Sequence, residues 1–299
     1  MKKSRQTGHL VTEKINENTK NIDRLSIKET IDLICNEDRS VIEAVSGARK
    51  EITAATEVLI NTLRNGGRIF FIGAGTSGRL GVIEAAECPP TFGTSPELFQ
   101  AIIAGGREAV WDSVEGAEDS GNESRSELEK SGLGPIDTVV GIAASSSTPF
   151  VTAALEFGKS KGCCTVLITC NPVEKTISDV TVSLLVGPEV IVGSTRMKSG
   201  TATKMVLNMM TTTAMVQMGK TYGNLMVDLK PASEKLRSRA VRIVSNVCEV
   251  TDKEAYELLD NAQWSVKTAI VMKKKNTGLK EAIEILDRYN GFLYKALAD

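Results

Sequence analysis

Carboxylates and hydroxyls, rather than imidazoles, carry the chemistry open to this chain. Its single histidine, His9, sits in a polar N-terminal stretch, so neither a histidine-based triad nor a two-histidine metal site can be assembled within one copy. The cysteines Cys35, Cys88, Cys163, Cys164, Cys170 and Cys248 lie mostly in apolar segments without paired CxxC spacing. They read as small buried hydrophobes, not as zinc ligands or a disulfide framework. Acid–base work therefore falls to glutamate and aspartate, whose pKa rises toward neutrality when burial disfavours the charged form. Glu84 and Glu87 lie one helical turn apart in a largely apolar segment closed by Cys88 and two prolines. That setting is expected to desolvate Glu87 and to leave Glu84 on a solvated or ion-paired helix face. Glu115, Glu118 and Asp119 form a second acidic group, and spacing alone does not choose among them.

Two loops are built to hold an anion. In Gly73-Ala-Gly-Thr-Ser-Gly-Arg79 the glycines let the backbone turn tightly after an apolar run. The N–H groups of Gly75, Thr76, Ser77, Gly78 and Arg79 then open a helix, and a helix N-terminus favours negative charge. The spacing also satisfies the dinucleotide pattern GxGxxG, which alone is a weak signal. A dinucleotide site needs an acid at the end of the second strand, whereas that run ends in Ala104-Gly105-Gly106. The second loop carries Ser145, Ser146, Ser147 and Thr148 ahead of Pro149, a residue suited to the first position of a helix. Two such loops at the carboxyl edge of one parallel sheet would cradle a phosphate monoester together with sugar hydroxyls. Arg196 and Lys198, near Ser194 and just ahead of a long helical pattern, are further candidates for a phosphate or carboxylate.

The elements that must position these residues follow from periodicity. Arg39 to Asn65 reads as one long helix ending at Gly66-Gly67. Apolar runs at Arg68 to Gly73, Leu98 to Ala104, Asp137 to Ala144, Thr165 to Thr169 and Val180 to Val186 read as strands. Helical patterns separate them at Arg79 to Cys88, Glu108 to Ala117, Glu123 to Lys130 and Phe150 to Lys161, and Met197 to Met218 follows the last strand. Such alternation argues for an α/β fold, a parallel sheet covered on both faces. From Glu234 onward the patterns are helical only: Glu234 to Val247, Lys253 to Leu259, Ser265 to Met272 and Leu279 to Asp287. The expected organisation is an N-terminal arm over 1–38, a sheet domain over 39–233 and a small helical domain over 234–299. A formal net charge of −1 on 299 residues supplies no field that would draw the chain to nucleic acid or an acidic membrane. No run approaches the roughly eighteen apolar residues of a membrane span, and the polar start lacks a secretory signal pattern. The cytoplasm is the expected compartment.

The stretches GAGTSGRLG, EAAECPPTFG, IAGG, VEGAEDS and VVGIAAS, then GSTRMKSGTATKMVLNMM and GNLMVD, resemble the N-acetylmuramic acid 6-phosphate etherase family in order and spacing. The resemblance covers most of residues 40–235. It implies a three-layer sugar isomerase (SIS) domain that binds a phosphosugar, with no metal or redox cofactor, and a homodimer with sites near the subunit interface. It maps the two catalytic glutamates onto Glu87 and Glu118, with Glu87 at the departing lactate oxygen and Glu118 at the C2 proton. In two places the chain departs from the family pattern: Ser146-Ser147 replaces a usual Gly-Arg, and Ala232-Ser233-Glu234 replaces a usual Thr-Asn segment. The implied activity is removal of lactate from the sugar in cell-wall amino sugar recycling. The alternatives are a sugar-phosphate sensor without turnover and an aldose–ketose isomerase, which would release no lactate.

Overall fold

Each apolar run expected to be a strand is one in the computed structural model, which describes residues 10–173 and 176–298. The strands are β1 (Ile69–Gly73), β2 (Phe99–Ile103), β3 (Thr138–Ile142), β4 (Cys164–Thr169) and β5 (Val180–Ser183). They form one parallel sheet in the order β2-β1-β3-β4-β5. Gly73 pairs with both Ile103 and Ile142, so the carboxyl ends of β1, β2 and β3 share one edge. The chain leaves β1 toward β2 and then crosses to β3 on the other side, which places the topological switch point between β1 and β3.

Alternation along the strands assigns the two faces. Phe70, Ile72 and Val139 pack with Leu128 of α5 (Gly121–Lys130) and with Phe150, Val151 and Leu155 of α6 (Pro149–Ser160). The neighbouring Thr138 turns the other way and hydrogen-bonds Thr62 of α3 (Arg49–Arg64), their hydroxyl oxygens 2.6 Å apart. The result is the expected three-layer α/β arrangement.

Before α3 lie α1 (Ile27–Glu37) and α2 (Arg39–Gly47). The single helix expected over Arg39 to Asn65 is broken at Ala48 (φ −90°, ψ 12°), whose N–H is shared between the carbonyls of Ala44 and Val45. That tightening of the turn, next to the weak helix former Gly47, starts a new helix. The helix expected over Glu108 to Ala117 is replaced by short 3₁₀ turns at Arg107–Val110 and Ala117–Asp119. Gly106 and Gly116 have positive φ there, and Arg79 draws the Val110 and Asp112 carbonyls to its guanidinium at 3.0 and 2.9 Å.

The chain divides into two compact units, Met1–Ala85 with Glu97–Thr211, and Ala86–Pro96 with Thr212–Asp299. Two helices, α4 (Gly75–Phe92) and α7 (Lys198–Gln217), run across the division. The second unit contains α8 (Glu234–Cys248), α9 (Asp252–Asn261), α10 (Val266–Lys275), α11 (Leu279–Arg288) and the unexpected α12 (Leu293–Ala298). Its core joins Val244, Leu259, Ile270 and Leu293 to Val227 and Leu229, so the units cut the chain differently from the expected boundary after 233. Of the expected arm, residues 1–9, His9 included, lie outside the described residues. All six cysteines are free; Cys35 and Cys164 are exposed, contrary to the buried reading, and the other four are buried. No helix among the described residues is long and apolar enough to cross a membrane.

One ion pair fastens the start of β1 to the start of β3. Asp137 is 3% exposed and accepts from the Arg68 guanidinium at 2.7 Å, the Arg68 N–H at 2.8 Å and the Gly134 N–H at 2.9 Å. Burial alone would raise its pKa, but the Arg68 side chain and these two N–H groups outweigh burial and hold it below the usual range. A depressed folded-state pKa means that the stabilisation is present at neutral pH and is lost as pH falls through the carboxylate range. Asp137→Ala is expected to cost on the order of 2–3 kcal/mol in urea unfolding at pH 7, discounted from a fully buried pair because Arg68 keeps 30% exposure. The difference from the parent should shrink as the pH falls toward 3.

Candidate active site

At the switch point the sequence brings backbone against backbone. A Cβ on Gly73 would lie 2.6 Å from the Gly78 nitrogen, and one on Gly78 would lie 2.7 Å from the Gly73 carbonyl oxygen and 2.5 Å from the Ile103 side chain. Gly75, at φ 53°, makes the turn between them. These glycines let α4 begin directly after β1, leaving its first-turn N–H groups without helical partners. Gly78→Ala is expected to destabilise by about 1–3 kcal/mol through overpacking and to weaken binding of a phosphate-bearing ligand at the α4 N-terminus as the turn widens. Thermal melts and calorimetric titration check both effects.

A cavity of about 760 Å³ opens at this edge, with all of its lining in the first unit. The first loop contributes Ala74 and Ser77, and the second contributes Ser145, Ser147 and Thr148 ahead of Pro149, the start of α6. The Ser145 hydroxyl accepts from the Ser147 N–H at 3.4 Å and lies 3.3 Å from the Thr148 hydroxyl. Ser146 does not line the cavity. It adopts φ 62° and turns its hydroxyl back to the Ser145 carbonyl at 2.5 Å. This left-handed backbone costs a non-glycine residue roughly 1–2 kcal/mol, which accounts physically for the glycine usual at this position in the resembling family.

Among the described residues, the lining contains no lysine, arginine or histidine. An anion here has hydroxyls, backbone N–H groups and the N-termini of α4 and α6 as its partners. Three carboxylates also line the cavity: Glu118 and Asp119, from the turn that follows Gly116, and Glu13. Among the described residues, the carboxylates of Glu13 and Glu118 make no hydrogen bond or ion pair. Glu118 also lines an adjoining cavity of about 230 Å³ beneath the loop that Arg79 holds, as do Gly75 and Arg79.

The remaining expected site residues are placed elsewhere. Ser194 is flanked by the lining residues Gly193 and Thr195 but does not itself line the cavity, and neither do Thr76 and Gly78. Arg196 is exposed and off the lining. Lys198 is 2% exposed and gives its ammonium to Glu37 at 2.9 Å, so it does not reach the cavity. The fully buried Glu189 accepts from the Lys198 and Ser199 N–H groups at 3.0 and 2.9 Å. The N-terminus of α7 is thus already occupied by a carboxylate. Glu87 lies in the second unit and is exposed, whereas Glu84 is buried and accepts from Asn208 and Thr211 of α7. The expectation for this pair is reversed. Gly78, Gly81, Glu84, Cys88 and Phe92 are the buried positions of α4, a stripe at helical spacing that includes Glu84 and misses Glu87.

Comparison with known proteins adds three findings of one kind. The chain is 46% identical over 299 residues to the N-acetylmuramic acid 6-phosphate etherase of Trichodesmium erythraeum (strain IMS101), covering 99% of this chain and 97% of that protein. The corresponding protein of Clostridioides difficile (strain 630) is 46% identical over 97% of this chain and 96% of its own length. N-acetylmuramic acid 6-phosphate etherase 1 of Bacillus licheniformis (strain ATCC 14580) gives the same identity and coverage. A family model, the glucokinase regulatory protein N-terminal SIS domain, matches residues 51–159. That span includes β1, β2, β3 and the loops that follow β1 and β3.

Proposed function

The chain belongs to the N-acetylmuramic acid 6-phosphate etherase family, and from that premise we propose that it removes the D-lactyl group of N-acetylmuramic acid 6-phosphate. The products are N-acetylglucosamine 6-phosphate and D-lactate. The observation that carries the reading at the residue level is the cavity between the β1 and β3 loops, with its hydroxyls, two helix N-termini and the unpartnered Glu118.

In this reading Ser77, Ser145, Ser147 and Thr148 hold the phosphate with the first-turn N–H groups of α4. An ether resists direct attack because an alkoxide leaves poorly. Opening the sugar ring solves this, since the aldehyde acidifies the proton at C2. Glu118 takes that proton, and the C3–O bond breaks with its electron pair leaving on the lactate oxygen. Glu87, assigned by its ECPPTFG motif, protonates that oxygen. Water then adds at C3, giving its hydroxyl to the carbon and its proton to Glu87, while Glu118 returns its proton to C2, so atoms and charge balance without an external oxidant or reductant. The same reading takes the chain to act as a homodimer in the cytoplasm, in cell-wall amino sugar recycling.

The test is incubation with N-acetylmuramic acid 6-phosphate in oxygen-18 water, following lactate and the isotope at C3 of the product sugar. Lactate release with label on the sugar is the expected result. Saturable binding with no lactate would overturn the etherase reading in favour of a sugar-phosphate sensor, and conversion to another sugar phosphate without lactate would identify an isomerase.

A further inference from the structure

The cavity contains a carboxylate that the reaction above does not use. Glu13 comes from the N-terminal segment, far in sequence from the sheet loops, yet its backbone is fixed against them by one side chain. Asn171, fully buried just after β4, accepts from the Val11 N–H at 2.6 Å and donates to the Thr12 hydroxyl at 3.0 Å and to the Ala144 carbonyl at 2.8 Å. Both of its donors and its acceptor are therefore used, and a satisfied buried amide of this kind holds its partners rigidly. The Gly193 N–H adds a bond to the Thr12 carbonyl at 3.2 Å. The Glu13 carboxylate lies against Gly193, where a Cβ would come within 3.1 Å of it, and it lines the cavity without a bonding partner among the described residues.

We propose that Glu13 is a substrate-binding residue whose carboxylate accepts hydrogen bonds from the hydroxyl groups of the bound sugar. An ionised carboxylate only accepts, and it repels a phosphate while matching the donors that a sugar presents. The position is held before the ligand arrives, so little ordering cost falls on binding. This inference rests on reading the cavity as the phosphosugar site.

Calorimetric titration of the full chain, Glu13→Gln and Glu13→Ala with N-acetylglucosamine 6-phosphate and with inorganic phosphate tests it, with lactate release measured in parallel. A hydrogen bond to a charged group predicts that Glu13→Ala weakens the sugar phosphate about 10–100-fold. Glu13→Gln should fall between, and inorganic phosphate should bind as well or better, because a repelling charge is gone. Asn171→Ala should weaken the sugar phosphate with Glu13 intact, and Glu13→Gln, equal in size, carries the test if the alanine variant does not fold. Equal loss for both ligands, or no loss for the sugar phosphate, overturns the proposal. A parent protein that binds the sugar phosphate without releasing lactate removes the etherase reading and leaves the Glu13 comparison intact. A parent that binds neither ligand overturns both.

Discussion

Glu118→Gln is expected to lower lactate release by about 10²–10⁴-fold, the usual contribution of a positioned acid–base group, while phosphosugar affinity changes little. Glutamine keeps the shape of the side chain but cannot take a proton from carbon. The Glu118 carboxylate makes no hydrogen bond or ion pair with described residues that the change would break, so the melting temperature should stay at the parent value. Deuterium uptake at C2 in heavy water separates the roles. If Glu118 takes the C2 proton, Glu118→Gln loses exchange along with lactate release, whereas Glu87→Gln keeps exchange and loses lactate. Retained exchange in Glu118→Gln would move that residue to the departing oxygen, and full activity would remove it from the chemistry.

Lys198→Met should instead damage stability. Its ammonium is buried against Glu37, whose carboxylate also accepts from Asn16 at 2.7 Å and Asn18 at 2.8 Å. Removing one partner of a buried pair leaves a charge uncompensated, at a cost of roughly 3–5 kcal/mol. Burial alone would raise the Glu37 pKa, but the hydrogen bonds from Lys198, Asn18 and Asn16 outweigh it and hold the carboxyl below the usual range. That depressed value contributes stability above the unfolded-state pKa, and the contribution fades as pH falls through the folded-state value. The variant should therefore be least stable relative to the parent near pH 7 and converge with it in acid. Unfolding titrations across pH measure this. An unchanged melting temperature with a raised KM would return Lys198 to the role of substrate ligand.

The contrast between these residues shows what a sequence makes legible. Strands β1 to β5 and the loops after β1 and β3 are local facts: apolar runs, glycines at tight approaches and a proline at the first turn of α6. Glu118 is reached through a motif, since three neighbouring acids share its spacing. Lys198 reads as an anion ligand because nothing local reveals that Glu37, more than a hundred residues away, pairs with it. Glu84 is legible in the sequence, because it falls on the stripe Gly78, Gly81, Cys88 and Phe92, a periodicity that the two prolines beside Glu87 do not alter. Glu13 had no local signal. Its place is set by Asn171 across 160 residues, and the polar segment around it resembles any solvated arm.

The discontinuous second unit constrains how this architecture can be cut and recombined. Ala86–Pro96 is grouped with residues that begin only at Thr212, and within that unit Lys230 donates to the Thr94 carbonyl at 3.3 Å, while a Cβ on Gly93 would come within 2.2 Å of the Asp228 carbonyl oxygen. A chain ending at 233 would keep this early segment but strip it of the α8–α12 core. Grafting residues 234–299 elsewhere would carry the helices without the segment that completes their unit. The helical region is therefore not a portable cassette: exchange between relatives would have to move Ala86–Pro96 and the tail of α7 together with it.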